Sequence, residues 1–331
     1  MPTKITEGEL DVAAAWRGAD LRRSTAWIDH WTPAEIADLD TLIAGNPGLG
    51  LADLAELGPD DLILPGLADR FADWRPQIFR SRGVVLVKGL PVERWSDDEA
   101  ALAYWAIGQG LGLPIVQNPE GHVLGHVTDT GRQADDPNVR LYQTPDNIQY
   151  HVDGASVVGL LCLRTALEGG ASRLVSSVTV HNEVWRRRPD LVPDLFGRFP
   201  IDRRNEERPG EDPYWMMPMA RWDGDRLRTF YHADYMGSSQ RHDSAPRFSP
   251  AQQELLALID EIGADPDIHL EMNLEPGDIQ LISNEVTLHA RTAYVDRPGS
   301  KRHLLRLWLD ERPEANRAAC DDTRYGMRAR H

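Results

Sequence analysis

Residues 148–177 read IQYHVDGASVVGLLCLRTALEGGASRLVSS, and the spacing of apolar residues in this stretch decides the architecture. IQYHVD, VVGLLCLRTA and SRLVSS are short runs rich in β-branched and apolar residues, and Glu168-Gly169-Gly170 separates the last two. Such runs between turn signals read as strands. The same texture continues in both directions. VLGHVTD begins upstream at residue 123, while IHLEMNL, DIQLIS and HLLRLWL follow downstream, with Glu275-Pro276-Gly277 as a further turn. Many short strands with few helical interruptions predict a sandwich or barrel. The expected fold is mixed α+β: a double-sheet jelly roll, or double-stranded β-helix, with N-terminal and inserted helices packed on one side.

Helices frame this core. Thr32-Pro33-Ala34-Glu35 is a capping box with proline at the first helical position, and Ser96 with Glu99 opens a second helix through AALAYWAIGQGLG, expected to end near Gly110 or Gly112. Between them GVVLVKGL (83–90) reads as a buried strand. Two later helices are expected, near 179–189 and from Ser249-Pro250 through AQQELLALIDEIG, where Leu255, Leu256, Ile259 and Ile262 share one face. The expected organisation is one domain: a helical extension over 1–82, the core over 83–311 and a tail over 312–331. Residues 201–225, charged and rich in proline and glycine, read as a long surface loop placed as a lid over a site.

Composition narrows the function. A net charge of -16 with no basic cluster argues against a nucleic-acid partner, and against an anionic membrane surface on the same grounds. No run approaches the ~20 apolar residues that cross a bilayer, and the N-terminus has no charged-then-apolar leader pattern, so the expected compartment is the cytoplasm. Two cysteines, Cys162 and Cys320, are too few for a disulfide framework.

The chemistry is written in three places. In Tyr150-His151-Val152-Asp153-Gly154, His151 and Asp153 are two apart at the end of a strand pattern and therefore share a face. Another histidine, His289 in Thr287-Leu288-His289-Ala290-Arg291-Thr292, would complete a facial triad of two histidines and a carboxylate, the set that holds iron(II) and leaves positions open. Taken alone a His-X-Asp is a weak signal, which a half-buried, hydrogen-bonded His-Asp pair explains more simply. The third place is KRHLLRLW (301–308), where Arg302, Leu304 and Arg306 fall on one face of a strand. Two inward arginines need anionic partners, supplied either by core carboxylates or by a dicarboxylate co-substrate.

Taken together, His151-Val152-Asp153, the following VVGLLCLRTALEGGASRLVSS and the HARTAYVD…KRHLLRLWL segment resemble the taurine dioxygenase (TauD/TfdA-like) family of iron(II)/2-oxoglutarate oxygenases over residues ~80–310. The resemblance implies that His151, Asp153 and His289 bind Fe(II). It implies that Arg302 grips the remote carboxylate of 2-oxoglutarate, assisted by Ser172 just past Gly169-Gly170, and that Arg306 lies near the iron-bound end of the co-substrate. Fe(II), 2-oxoglutarate and O2 are then the expected cofactor and co-substrates. The expected reaction is hydroxylation of an unactivated C–H bond in a small molecule, amino-acid-like or carrier-bound, with release of succinate and carbon dioxide. Desaturation or cyclisation would use the same residues. The rival reading is a non-oxidative metal-binding jelly roll, a sensor or binding protein, which has no need of Ser172 and Arg302 aimed at one spot.

Other residues compete for attention. His122 and His126 could share a strand face but read as rim residues, and His181, His232, His242, His269 and His303 lack partner spacing. Trp215 and Trp222 could line a substrate pocket from the lid, whereas Trp185 and Trp308 read as core. Tyr142-Gln143 fits a substrate contact or a loop anchor, and Asn284 either orients a metal ligand or caps a strand end.

Overall fold

The computed structural model describes residues 5–311 apart from 52, 58–60, 119–120, 134–138 and 223; the tail expected over 312–331 lies outside the described residues. Twelve strands carry the argument: β1 (Ile28–His30), β2 (Val84–Lys88), β3 (Leu124–Val127), β4 (Ile148–His151), β5 (Val157–Arg164), β6 (Ser172–Ser176), β7 (Arg198–Asp202), β8 (Tyr214–Pro218), β9 (Leu270–Met272), β10 (Ile279–Ser283), β11 (Thr287–Arg291) and β12 (His303–Asp310). Five helices pack on them: α1 (Pro33–Gly45), α2 (Ala68–Phe79), α3 (Asp97–Leu111), α4 (Ser177–Arg187) and α5 (Pro250–Ala264). The larger sheet runs β1-β2-β10-β5-β12, and β12 then pairs with both β3 and the short strand Leu113–Pro114. A smaller sheet runs β9-β6-β11-β4.

Side-chain alternation explains how the sheets stack. On β5, Leu161 and Leu163 face a core shared with α2 and α3, while Val158 and Cys162 face the opposite way. A strand buried on both faces reads as a continuous apolar run, which VVGLLCL is. On the inner side, Val158, Cys162, Ile282 and Leu304 of the large sheet pack with Leu174 and Leu270 of the small one, so the two sheets lie face to face. The outer side of the small sheet carries Val175 and Leu288 against Val184 of α4 and Leu255, Ile259 and Ile262 of α5. Helices therefore cover both outer faces, not one side as the sequence suggested. Capping boxes start α1 at Thr32–Glu35, α3 at Ser96–Glu99 and α5 at Ser249–Gln252, each satisfying backbone N–H groups that the first helical turn leaves open.

Three elements differ from expectation. Within the N-terminal extension, β1 pairs parallel to β2, so the extension contributes an edge strand as well as helices. β11 was not among the expected strands because Thr-Leu-His-Ala-Arg has no β-branched run. It is held in place by antiparallel pairing on both sides. Residues 201–225 are not one long loop. β7 and β8 form a hairpin in which Trp215 opposes Ile201 and Met217 opposes Phe199, with Ile201 and Met217 buried. The apolar run Tyr214-Trp215-Met216-Met217 was hidden between charged flanks. Asp202, at the end of β7, is anchored by Arg241 at 2.9 Å and His242 at 3.0 Å. The turn between the strands is largely exposed, and in it Arg204 and Asn205 take left-handed backbone conformations, φ 57° and 63°. No helix among the described residues is long and apolar enough to cross a membrane.

Candidate active site

Register brings the motif residues together. His151 is the last residue of β4 and lies directly opposite His289 on β11, and Asp153 follows two residues later, its backbone N–H donating to Asn284 Oδ1 at 3.1 Å. Asn284 also donates from Nδ2 to the Ala155 carbonyl at 2.9 Å, so one buried amide clamps both ends of the bend that carries Asp153. All three side chains are buried. Asp153 Oδ1 is 3.9 Å from His151 Nε2, Asp153 Oδ2 is 3.7 Å from His289 Nε2, and one ligand atom from each residue lies within 4.8 Å of the others.

The protonation states suit a cation. Burial, reinforced by the neighbouring His289 ring, pushes His151 down to about 3, which keeps its imidazole neutral. Its Nδ1 is 2.9 Å from the Gln149 carbonyl, a partner that fixes the proton there and leaves the Nε2 lone pair facing Asp153. Burial alone would raise Asp153, but Arg306, His289 and His151 outweigh it and hold the carboxyl far below its ordinary range. Trp308 donates to Asp153 Oδ2 at 2.9 Å, fixing the rotamer while Oδ1 stays open. Two imidazoles and one carboxylate converging on a buried point is a donor set that fits iron(II).

Arg302, Leu304 and Arg306 point into the same cavity as the triad, as the alternation predicted. Their partners differ. Arg306 donates from Nε to Gln117 Oε1 at 2.8 Å, lies 3.7 Å from Asp153 Oδ2, and is sandwiched between the rings of Tyr142 and Trp308. Arg302 is buried, makes one 3.3 Å bond to the Gly170 carbonyl, and leaves Nη1 without a partner. No carboxylate among the described residues pairs with its guanidinium. The Gly169-Gly170 pair explains the close approach: both take left-handed φ of 74°, and a Cβ at Gly170 would sit 2.8 Å from Arg302 Nε. Ser172, buried nearby on β6, exchanges hydrogen bonds with Gln280 at 2.9–3.2 Å.

Several residues on the cavity wall escaped the sequence reading. His232, set aside for lack of partner spacing, is brought by a β-bridge to His151, with ring centroids 4.9 Å apart. It stacks on Tyr235 at 3.5 Å. Nothing local marked it, since the contact spans 81 positions of chain. Arg291 also lines the cavity, and here a signal existed: two residues beyond His289 on a strand means the same face. Tyr142 and Trp215 line it as well, whereas Trp222 does not. Five other histidines are occupied elsewhere: His126 bonds His303 at 2.7 Å on the outer side of the large sheet, His122 meets Asn118, His181 meets Thr6, and His269 meets the Gly263 carbonyl.

Comparison with known proteins fits this geometry. The family model described as "Taurine catabolism dioxygenase TauD, TfdA family" matches residues 51–308. An FR-33289 synthase of Streptomyces rubellomurinus (strain ATCC 31215) is 28% identical over 327 residues, covering 96% of this chain and 95% of that protein. Among solved structures, an asparagine oxygenase in complex with Fe(II), 2S,3S-3-hydroxyasparagine and succinate aligns with TM-score 0.63 at 17% identity, over 86% of this chain and 94% of that one. The non-heme iron oxygenase OrfP in complex with Fe and alpha-ketoglutaric acid aligns with TM-score 0.62 at 16% identity, over 85% and 93%.

Proposed function

Because the chain belongs to the TauD/TfdA dioxygenase family, we propose that it is an iron(II)- and 2-oxoglutarate-dependent oxygenase that hydroxylates an unactivated C–H bond of a small, amino-acid-like molecule, on a jelly-roll core formed by the two facing sheets. One oxygen atom of O2 enters the substrate; the other enters succinate as 2-oxoglutarate loses carbon dioxide. Iron(II), when bound, supplies oxygen activation coupled to that decarboxylation. His151, Asp153 and His289 would hold the metal, and the protein's remaining work is to bind and orient. Arg302 and Ser172 would receive the remote carboxylate of the co-substrate, fixing its position relative to the triad. Arg306 holds Asp153 ionised and packs against Tyr142 and Trp308, which wall the cavity and exclude water.

The observation that carries this reading is the buried, unpaired guanidinium of Arg302 in the triad's own cavity. A buried cation without an anion is costly, and a protein that merely held a metal would have no use for it. The amino-acid class is supported by the hydroxylated amino acids bound in two solved neighbours, 2S,3S-3-hydroxyasparagine in an asparagine oxygenase and (3S)-hydroxy-L-Arg in a mutant of OrfP. Anaerobic reconstitution with iron(II) and 2-oxoglutarate, followed by a panel of free and peptidyl-carrier-bound amino acids in air, tests it. At least one should accelerate succinate release and emerge one oxygen atom heavier.

Two further expectations arise here. Asn284→Ala frees the bend carrying Asp153, and loss of such an outer support costs roughly 10–100-fold in metal affinity; iron(II) titration of the variant should show it, and unchanged affinity would make Asn284 a strand-end cap only. The hairpin β7–β8 brings Arg204 and Trp215 to the cavity, in keeping with a lid. Trypsin should cut first in the exposed turn at 203–208, and the accelerating substrate should protect it. Equal cleavage with saturating substrate would leave the turn as ordinary surface.

A further inference from the structure

We propose that Arg291 is a second cationic anchor for the remote carboxylate of 2-oxoglutarate, acting beside Arg302 and Ser172; the inference rests on the co-substrate reading above. Arg291 is the register partner of Ser172 across the β11–β6 pair, and directly opposed residues hold their Cβ atoms ~4.5–5.5 Å apart on one face of the sheet. Its Nη2 is tied to the Thr144 carbonyl at 2.8 Å and to the Asp146 carbonyl, which fixes the plane of the guanidinium. Nε and Nη1 are buried with no partner, like Nη1 of Arg302. The two guanidiniums lie over the same Tyr294 ring, at 4.8 and 5.1 Å from its centroid.

Neither arginine is paired with a carboxylate among the described residues. Each guanidinium is a cation at neutral pH. Two like charges in one buried chamber are costly until an anion joins them. A carboxylate offers two oxygens and about four lone-pair sites, enough to accept from both arginines and the Ser172 hydroxyl together. The cations thus select for length and charge at the far end of the 2-oxo acid while the triad governs the near end. An acid with the same chelating end and no second carboxylate leaves them unanswered.

The test is anaerobic titration of iron(II)-loaded protein with 2-oxoglutarate and, separately, with 2-oxobutanoate, following the absorbance change as each acid joins the metal. Wild type should prefer 2-oxoglutarate strongly. Arg291→Gln should lose roughly tenfold to a hundredfold in 2-oxoglutarate affinity, the worth of hydrogen bonds to a charged group, with 2-oxobutanoate and iron(II) binding unchanged. Arg291→Lys, which keeps the charge without the fork, should recover part of the loss. Equal losses for both acids with no recovery by lysine would reduce Arg291 to a support for the 144–146 loop and overturn the proposal, as would unchanged 2-oxoglutarate affinity. Wild type binding both acids equally would instead sink the co-substrate reading and this proposal with it.

Discussion

Asp153→Ala is expected to abolish succinate formation and to weaken iron(II) binding by roughly a hundredfold or more, beyond the 10–100-fold typical of outer-shell changes. The carboxylate is the only anion of the triad, and it lies 3.7 Å from the Arg306 guanidinium. Removing it leaves two imidazoles to hold a dication near an arginine that has lost its neighbouring carboxylate. Asp153→Asn keeps the shape and the capacity to accept from Trp308 yet loses the charge, so it should fail almost as badly. Iron titration and succinate formation are the measurements. Near-wild-type hydroxylation by the alanine variant would remove Asp153 from the site.

Arg302→Ala should leave iron(II) affinity unchanged while weakening 2-oxoglutarate binding by about 30-fold to a few thousand-fold. That range is the ~2–5 kcal/mol lost on truncating one member of a buried charged pair, at ~1.4 kcal/mol per tenfold. The remaining chamber keeps Ser172 and Arg291, so binding is weakened without being erased. Ser172→Ala removes a single hydrogen bond to a charged group and should cost less, about 1.5–3 kcal/mol at most. Should Arg302→Ala bind 2-oxoglutarate normally while losing iron, or while losing only substrate affinity, the anchor would have to be another cation, with Arg291 first to be examined and Arg306 after it.

What the sequence disclosed and what it withheld have a common cause. Residues whose meaning lies in local period were legible: His151 and Asp153 two apart, Arg302, Leu304 and Arg306 alternating on one strand, the capping boxes of α1 and α3, the doubly buried β5. Arg291 was legible by the same rule applied to HAR. Residues whose meaning lies in pairing between distant segments were not. His232 reaches the cavity only through its bridge to His151, and β11 is a strand because β4 and β6 flank it, not because of its own composition. The hairpin β7–β8 shows the opposite failure, in which charge and proline content outweighed a short apolar run that tertiary packing buries.

The most direct test of the account is a single-turnover experiment: protein loaded anaerobically with iron(II), 2-oxoglutarate and the amino acid that most accelerates turnover, then mixed with oxygen and analysed for succinate and product. The account predicts one succinate for each substrate molecule gaining one oxygen atom, and loss of both in Asp153→Ala. Binding of iron without 2-oxoglutarate consumption under any substrate would contradict it, and would return the protein to a metal-holding fold without oxidative chemistry.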